Sequence, residues 1–122
     1  MNKTVKLGEG PEVGRIGYGT MQLPGKGVWG ESEDPAGAVE VLRKAVELGI
    51  DFFDTADSYG PFVAEDLLRE ALHPYDGITV ATKAGLIRTG PGEWHQIGRP
   101  EYLRFALEMS LRRLGVEQID LF

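Results

Sequence analysis

The chain has 122 residues, of which 42% are apolar and 26% charged, values that fit one globular domain of ordinary size. Its net charge of -6 disfavours nucleic acid and anionic membrane surfaces as partners, because both are negatively charged. The chain contains no cysteine, no secretory signal pattern and no apolar run long enough to cross a membrane, so we expect a cytoplasmic protein without disulfides or thiolate metal sites.

The N-terminal part of the chain predicts a hairpin, a short strand and a loop. A Gly-Glu-Gly-Pro turn separates two short alternating runs, Val5–Leu7 and Glu12–Gly14, which is typical of a β-hairpin. We predict a strand at Arg15–Gly19 and a glycine-rich loop at Gln22–Glu33 that carries Trp29.

The rest of the chain alternates between helix and strand patterns. Asp34 and Pro35 suit the start of a helix, and Gly49 is placed to end it by adopting a positive φ. Strands are then predicted at Ile50–Phe53, Ile78–Thr82 and Gln118–Phe122, helices at Ala64–Leu72 and Pro100–Leu114, and loops at Asp54–Pro61 and Gly85–Gly98. The alternation predicts an α/β fold with a parallel sheet, and four such strands could begin either a barrel or an open doubly wound sheet.

Apolar residues at helical spacing predict which face of each helix is buried. The predicted faces are Val39, Leu42, Ala45 and Val46 in the first helix, Leu67, Leu68, Ala71 and Leu72 in the second, and Leu103, Leu107, Leu111 and Leu114 in the third.

Three polar side chains follow neighbouring strands of the predicted sheet. Asp54 and Tyr59 come after the second parallel strand, and Lys83 comes directly after the third. Because catalytic groups of parallel α/β folds gather at the carboxyl ends of strands, we expect all three at one rim. An ammonium group stabilises phenolate and makes tyrosine a better acid, so Tyr59 could protonate a carbonyl oxygen as hydride reaches the carbon. Taken alone, each of these residues is more simply a solvated loop residue. Only their joint occurrence after the ends of neighbouring strands favours a catalytic role.

Other motifs exclude two familiar kinds of site. The run Gly17–Thr20 is not a dinucleotide fingerprint, because Gln22 stands where its third glycine belongs and no helix opens there. Its glycines instead permit close approach by a cofactor ring or by neighbouring backbone. The two histidines lie in no metal-binding array, so no metal site is expected. His95 and Trp94 could line a substrate pocket or form an exposed loop pair.

Together these motifs resemble those of the aldo-keto reductase superfamily, most strongly its bacterial members, over essentially the whole chain. The matching runs are Gly17–Met21, Gly27–Gly30, Asp54–Ala56, Tyr59–Gly60, Ala81–Lys83, Trp94–His95, Leu111–Gly115 and Ile119–Leu121. The resemblance implies a (β/α)8 TIM-type barrel plugged by the hairpin, of which this chain supplies the hairpin and about four β/α units, a half barrel. It also implies NADPH as cofactor and an aldehyde or ketone as the small-molecule substrate.

The resemblance further implies roles for three groups of residues. They are Asp54, Tyr59 and Lys83 as catalytic residues with Tyr59 as proton donor, Gly19, Thr20, Met21 and Asp54 at the cofactor, and Trp29, Trp94 and His95 at the substrate.

One catalytic residue of the family has no counterpart in this sequence. The family's histidine follows the fourth strand, whereas this chain ends at Phe122 and His95 lies in a different segment. We therefore expect residues 1–122 to form a single NADP-dependent oxidoreductase domain truncated at its C-terminal side, inactive alone and prone to self-association through open barrel edges. The alternative is a non-catalytic nicotinamide-binding or regulatory interaction module, against which the intact Asp54, Tyr59 and Lys83 argue.

Overall fold

The computed structural model describes residues 3–122, and its elements follow the alternating order that the sequence predicts. Within those residues the helices are α1 (Pro35–Glu47), α2 (Val63–Leu72) and α3 (Pro100–Leu114). The strands are β1 (Thr4–Lys6), β2 (Glu12–Gly14), β3 (Tyr18–Gly19), β4 (Phe52–Asp54), β5 (Thr79–Ala81), β6 (Leu86–Gly90) and β7 (Glu93–Gln96).

A parallel sheet of order β3-β4-β5 forms the centre of the structure. Its strands follow one another along the chain, so their carboxyl ends lie side by side at one rim. The predicted fourth strand is shorter than expected, because Leu121 forms only an isolated parallel bridge with Ala81. The backbone N–H of Thr82 donates to Leu121 O at 3.0 Å, which nevertheless places this segment beside β5.

The predicted N-terminal hairpin is present as the antiparallel pair β1 and β2. It is attached to the sheet through Gly14, whose N–H donates to Asp51 Oδ1 at 2.8 Å. Asp51 immediately precedes β4, so the hairpin lies at the amino end of the sheet, opposite the rim where the polar residues were predicted.

The core lies between the sheet and the helices. Phe53 of β4 and Val80 of β5 are buried against helix residues that include Val39, Leu42, Ala45, Leu67, Leu68, Leu72 and Leu114. Asp34 caps α1 as predicted, accepting a hydrogen bond from Gly37 N at 3.0 Å. No helix within residues 3–122 combines the length and apolarity that crossing a membrane requires.

The predicted buried face of α3 is wrong in part. Of its four leucines only Leu114 is buried, and Leu103, Leu107 and Leu111 are partly exposed. The buried line instead runs through Ala106, Ser110 and Leu114. A polar contact accounts for this difference. Ser110 donates a hydrogen bond to the buried carboxylate of Glu65 on α2, so the face of α3 that carries Ser110 is directed inward.

The segment predicted as a loop at Gly85–Gly98 is largely a second hairpin. Strands β6 and β7 pair antiparallel, with Leu86 opposite Gln96 and Ile87 opposite His95. Because this hairpin follows Lys83, it extends from the carboxyl end of β5 and brings its side chains to the same rim.

Candidate active site

Lys83 is held by residues at the carboxyl end of β4. Its Nζ donates to Asp54 Oδ1 at 2.9 Å, to Asp54 Oδ2 at 3.0 Å and to Thr55 O at 2.7 Å. Three acceptors match the three N–H donors of an ammonium group, so the side chain is oriented as well as paired. About half of each side chain in the ion pair is exposed, 47% for Lys83 and 49% for Asp54.

Tyr59 lies beside this ion pair. The ammonium of Lys83 is 5.3 Å from the centroid of the Tyr59 ring, which is within the range of a cation–π contact. The backbone of Tyr59 is anchored at both ends, because its N–H donates to Ala56 O and its carbonyl accepts from Ala64 N at the start of α2. The three residues predicted to be catalytic are therefore together at one rim.

The residues predicted at the cofactor lie at the end of β3, next to Asp54. Gly19 is paired with Asp54 in the sheet. Thr20 is fully buried, and both its N–H and its hydroxyl donate to Asp54 O, at 3.0 and 3.1 Å. Met21 is 40% exposed. The sequence thus brings all four predicted cofactor residues to the rim that carries Lys83.

Aromatic residues flank Tyr59. The ring of Trp94, on β7, is perpendicular to that of Tyr59, with 6.5 Å between the centroids. Trp29 forms an isolated parallel β-bridge with Gly60, the residue after Tyr59. His95 is exposed, and its Nε2 lies 2.8 Å from Thr89 Oγ1 of β6. Because successive strand residues point to opposite faces, Trp94 faces the rim and His95 is directed away from Trp94.

Arg88 joins these aromatic residues, although the sequence pattern did not single it out. Its guanidinium carbon is 3.6 Å from the Trp94 ring centroid and 5.7 Å from that of Trp29. The same group donates hydrogen bonds to backbone carbonyls of three segments, at Gly27, Val28, Ser58 and Glu93. Burial lowers the pKa of Arg88 below its usual value, but a guanidinium remains charged at neutral pH.

A second polar cluster lies behind the rim and was also not predicted. The carboxylate of Glu65 is fully buried on α2. It accepts hydrogen bonds from Thr82 Oγ1 at 2.6 Å, from Ser110 Oγ at 2.7 Å and from Arg113 Nε at 2.5 Å. This network ties α2 and α3 to Thr82, which follows β5 and immediately precedes Lys83.

Asp57 is buried between the rim and this cluster. Its Oδ1 has no hydrogen-bond partner among the described residues. Burial, reinforced by the negative charge of Glu65, raises the pKa of Asp57 to about 6, while Arg113 and the backbone N–H of Ser58 act in the opposite direction. Asp57 lines a cleft of about 160 Å³ with residues that include Phe62, Arg88 and Tyr102.

Comparison with known proteins agrees with this arrangement. Residues 15–122 match the model of the aldo/keto reductase family. The chain belongs to that family. It is 55% identical over 119 residues to an uncharacterized oxidoreductase of Schizosaccharomyces pombe, covering 98% of this chain and 39% of the relative. It is 44% identical over 109 residues to pyridoxine 4-dehydrogenase of Escherichia coli, covering 88% and 38%.

Solved structures of aldo-keto reductases superpose on the chain. The holo form of an aldo-keto reductase from Bacillus halodurans does so with a TM-score of 0.79 and 31% identity, over 96% of this chain and 38% of that one. An aldo-keto reductase from Klebsiella pneumoniae in complex with NADPH does so with a TM-score of 0.72 and 26% identity, over 98% and 38%. The chain spans about two fifths of the length of these relatives. Its superposition on them confirms the predicted partial TIM barrel.

Proposed function

We propose that this chain carries the proton-donating part of an aldo-keto reductase that reduces aldehydes or ketones to alcohols, with Tyr59 as the acid. The observation that carries the proposal is the ammonium of Lys83. It is held by both carboxylate oxygens of Asp54 and lies 5.3 Å from the Tyr59 ring. A binding surface alone has no need of a lysine fixed in this way against a phenol.

The proposed chemistry is a hydride and a proton added across a carbonyl group. A reduced nicotinamide supplies the hydride when it is bound. As the carbonyl π electrons move to oxygen, the Tyr59 hydroxyl donates its proton there and becomes phenolate. Lys83 stabilises that phenolate through its positive charge. Asp54 orients Lys83 by accepting hydrogen bonds from its ammonium group at both carboxylate oxygens.

The rim fits a nicotinamide ring at Gly19. Its φ is not positive, and a Cβ built there would meet no atom of the described residues within 4 Å. Neither backbone conformation nor packing therefore accounts for glycine at this position. A missing side chain at a strand end leaves the backbone open to a flat ring, so we propose that Gly19, Thr20 and Met21 hold the nicotinamide beside Asp54.

The choice of NADPH and of test substrates rests on the relatives. The Klebsiella pneumoniae neighbour was determined with NADPH, and the Escherichia coli relative is named for pyridoxine. We propose NADPH as cofactor, carbonyl compounds as substrates, and Trp29 and Trp94 as residues of the substrate pocket. His95, which the sequence also suggested for this pocket, is directed away from Trp94 and pairs with Thr89, so we do not assign it there. Three expectations from the sequence remain predictions. They are a cytoplasmic location, the inactivity of residues 1–122 alone, and the self-association of these residues.

The test uses the complete gene product. Turnover of NADPH is measured with a panel of aldehydes and ketones, and the reverse reaction with pyridoxine. Tyr59→Phe removes only the phenolic hydroxyl, so we expect turnover to fall by about 10²- to 10⁴-fold. Affinity for NADPH, measured by fluorescence titration, should stay within about twofold, because the proton is donated to substrate and not to cofactor.

Tyr75→Phe is the matched control, since it also removes a phenolic hydroxyl, one that donates to Leu114 O, and Tyr75 precedes β5 at the end of the sheet opposite the rim. Turnover retained in Tyr59→Phe would contradict the assignment of Tyr59 as acid. NADPH binding by the unaltered protein without turnover of any carbonyl compound or of pyridoxine would instead favour the non-catalytic nicotinamide-binding module.

A further inference from the structure

Arg88 binds the backbone immediately before each aromatic residue of the candidate site. Its guanidinium donates to Val28 O at 2.5 Å, to Ser58 O at 2.8 Å and to Glu93 O at 2.7 Å. These carbonyls belong to the peptide units that lead into Trp29, Tyr59 and Trp94, respectively. A peptide unit is planar, so fixing its carbonyl also fixes the N–H, and hence the backbone direction, of the aromatic residue that follows.

The first of these carbonyls belongs to a strained turn. Val28 has a φ of +55°, which is a true outlier for a β-branched residue. Such a conformation persists only where surrounding contacts hold it. Arg88 supplies these contacts by binding the carbonyls of both Gly27 and Val28, and Gly60 N adds a weaker bond to Val28 O at 3.2 Å. The backbone also donates from Trp29 N to Gly25 O at 3.2 Å and from Gly92 N to Gly27 O at 2.9 Å. The guanidinium thus adds side-chain contacts to a turn that backbone hydrogen bonds also hold, and it contributes to the position of Trp29.

Arg88 also covers one face of Trp94. At 3.6 Å from the ring centroid, the guanidinium is in stacking contact with the indole. Trp94 in turn stands perpendicular to Tyr59. If the Tyr59 hydroxyl meets the carbonyl oxygen of a substrate, the group attached to that carbonyl lies next to the rings that Arg88 holds.

We propose that Arg88 is a positioning residue that sets substrate selectivity, holding Trp94 and Trp29 beside Tyr59 so that flat aromatic carbonyl compounds are favoured over flexible aliphatic ones. The inference rests on the proposed function, because the proton donor defines where the carbonyl lies. Lysine cannot replace arginine in this role. Its ammonium has three donors and no planar face, whereas Arg88 uses its donors on several carbonyls while it stacks on Trp94.

The test compares benzaldehyde with butanal as substrates of the complete gene product. In Arg88→Lys, we expect the ratio of kcat/KM for benzaldehyde to kcat/KM for butanal to fall by about tenfold, with the larger share of the loss in KM. Trp94→Phe should lower the same ratio. Because Arg88 acts through Trp94, the double variant should be about as selective as the poorer single variant, not worse by the product of both effects. An equal loss for both aldehydes, or additive losses, would overturn the proposal.

Arg43→Lys is the matched control. Arg43 also donates to two backbone carbonyls, at Glu70 and Ala71, but it lies on the surface of α1. The same chemical change there should leave the selectivity ratio unaltered. A fall in that ratio equal to the one in Arg88→Lys would show a general effect of losing an arginine and overturn the inference.

A second readout separates this inference from the proposed function. The emission of Trp94 is obtained as the difference between the unaltered protein and Trp94→Phe, and its quenching by acrylamide is measured. In Arg88→Lys, quenching of Trp94 should increase because the stacked guanidinium is lost. A protein that reduces no carbonyl refutes the proposed function but leaves this measurement intact, and unchanged quenching would refute positioning by Arg88.

Discussion

Two ion pairs that contact the chain just after β5 differ sharply in their surroundings. The Lys83–Asp54 pair is half exposed at the rim, with 47% and 49% of its side chains accessible. The Arg113–Glu65 pair lies behind the rim, with 17% and 0% accessible. The two are linked through adjacent residues, because Thr82 directs its hydroxyl to Glu65 while Lys83 directs its ammonium to Asp54.

This difference in exposure predicts that the two ion pairs contribute to different properties of the protein. An exposed ion pair contributes little to folding, since water screens it and competes for both charges. A buried charge must instead be compensated, and Glu65 is compensated by two hydroxyls as well as by Arg113. We therefore expect the rim pair to matter for turnover and the buried pair to matter for the free energy of unfolding.

The largest effect should come from replacing Lys83 by methionine. Without the ammonium, the Tyr59 phenolate is no longer stabilised, so turnover should fall by about 10²- to 10⁴-fold. The free energy of unfolding should change by less than about 1 kcal/mol, because the pair is exposed. Turnover is measured with NADPH and a carbonyl substrate, and stability by urea unfolding of the complete gene product.

Lys44→Met serves as its control, because Lys44 forms an exposed ion pair with Glu47 on α1, outside the proposed site. The free energy of unfolding of Lys44→Met should equal that of Lys83→Met. Its turnover should equal that of the unaltered protein. Unfolding of Lys83→Met by several kcal/mol would mean that the rim pair is structural, and the contrast between the two pairs would be lost.

Glu65→Gln should produce the next largest effect, and on stability. The amide cannot neutralise Arg113, and it brings an N–H group to a position surrounded by donors. Breaking a buried pair in this way should cost about 3 kcal/mol of unfolding free energy. The same substitution at exposed Glu47 should cost no more than about 0.5 kcal/mol. Equal urea midpoints for the two variants would contradict the structural role of the buried cluster.

The rim pair could be predicted from sequence because its parts follow simple rules. Alternation of strand and helix patterns located β4 and β5, and the residues after parallel strands meet at one rim. Asp54, Tyr59 and Lys83 therefore converge as expected. The hairpin β1–β2 and the cap at Asp34 were predicted for equally local reasons, namely a turn sequence and a capping side chain.

The buried cluster could not be predicted, because it depends on how helices face one another. Glu65 lies in the first turn of α2, where an exposed acidic residue is common, so its sequence position does not indicate burial. On α3, the four leucines at helical spacing gave a stronger pattern than Ser110 and predicted a different buried face. Arg88 was missed for a different reason, because its segment was interpreted as a loop. A Pro91–Gly92 turn between two runs rich in strand formers was a usable hairpin signal there.

Asp57 lies between the two regions, and its titration tests how strongly the buried cluster acts on a neighbouring carboxyl group. Its side chain is buried, and burial together with the charge of Glu65 raises its pKa to about 6. In the unfolded chain the group should titrate near its ordinary value of 3.8. Between these two values the folded protein holds more protons than the unfolded chain, so stability decreases as pH rises through this window and stays lower above it.

Asp57→Asn should therefore stabilise the protein at neutral pH and have its smallest effect near pH 4. The difference in unfolding free energy between the variant and the unaltered protein should grow from about pH 4 to pH 6 and then level off. Urea unfolding across that range measures it, and groups that titrate identically in both proteins cancel in the difference. In a Glu65→Gln background the rise should be smaller and should level off at a lower pH, since one cause of the raised pKa of Asp57 is gone. A difference that decreases with pH would show that ionised Asp57 is stabilised in the folded protein, contrary to its burial without a partner for Oδ1.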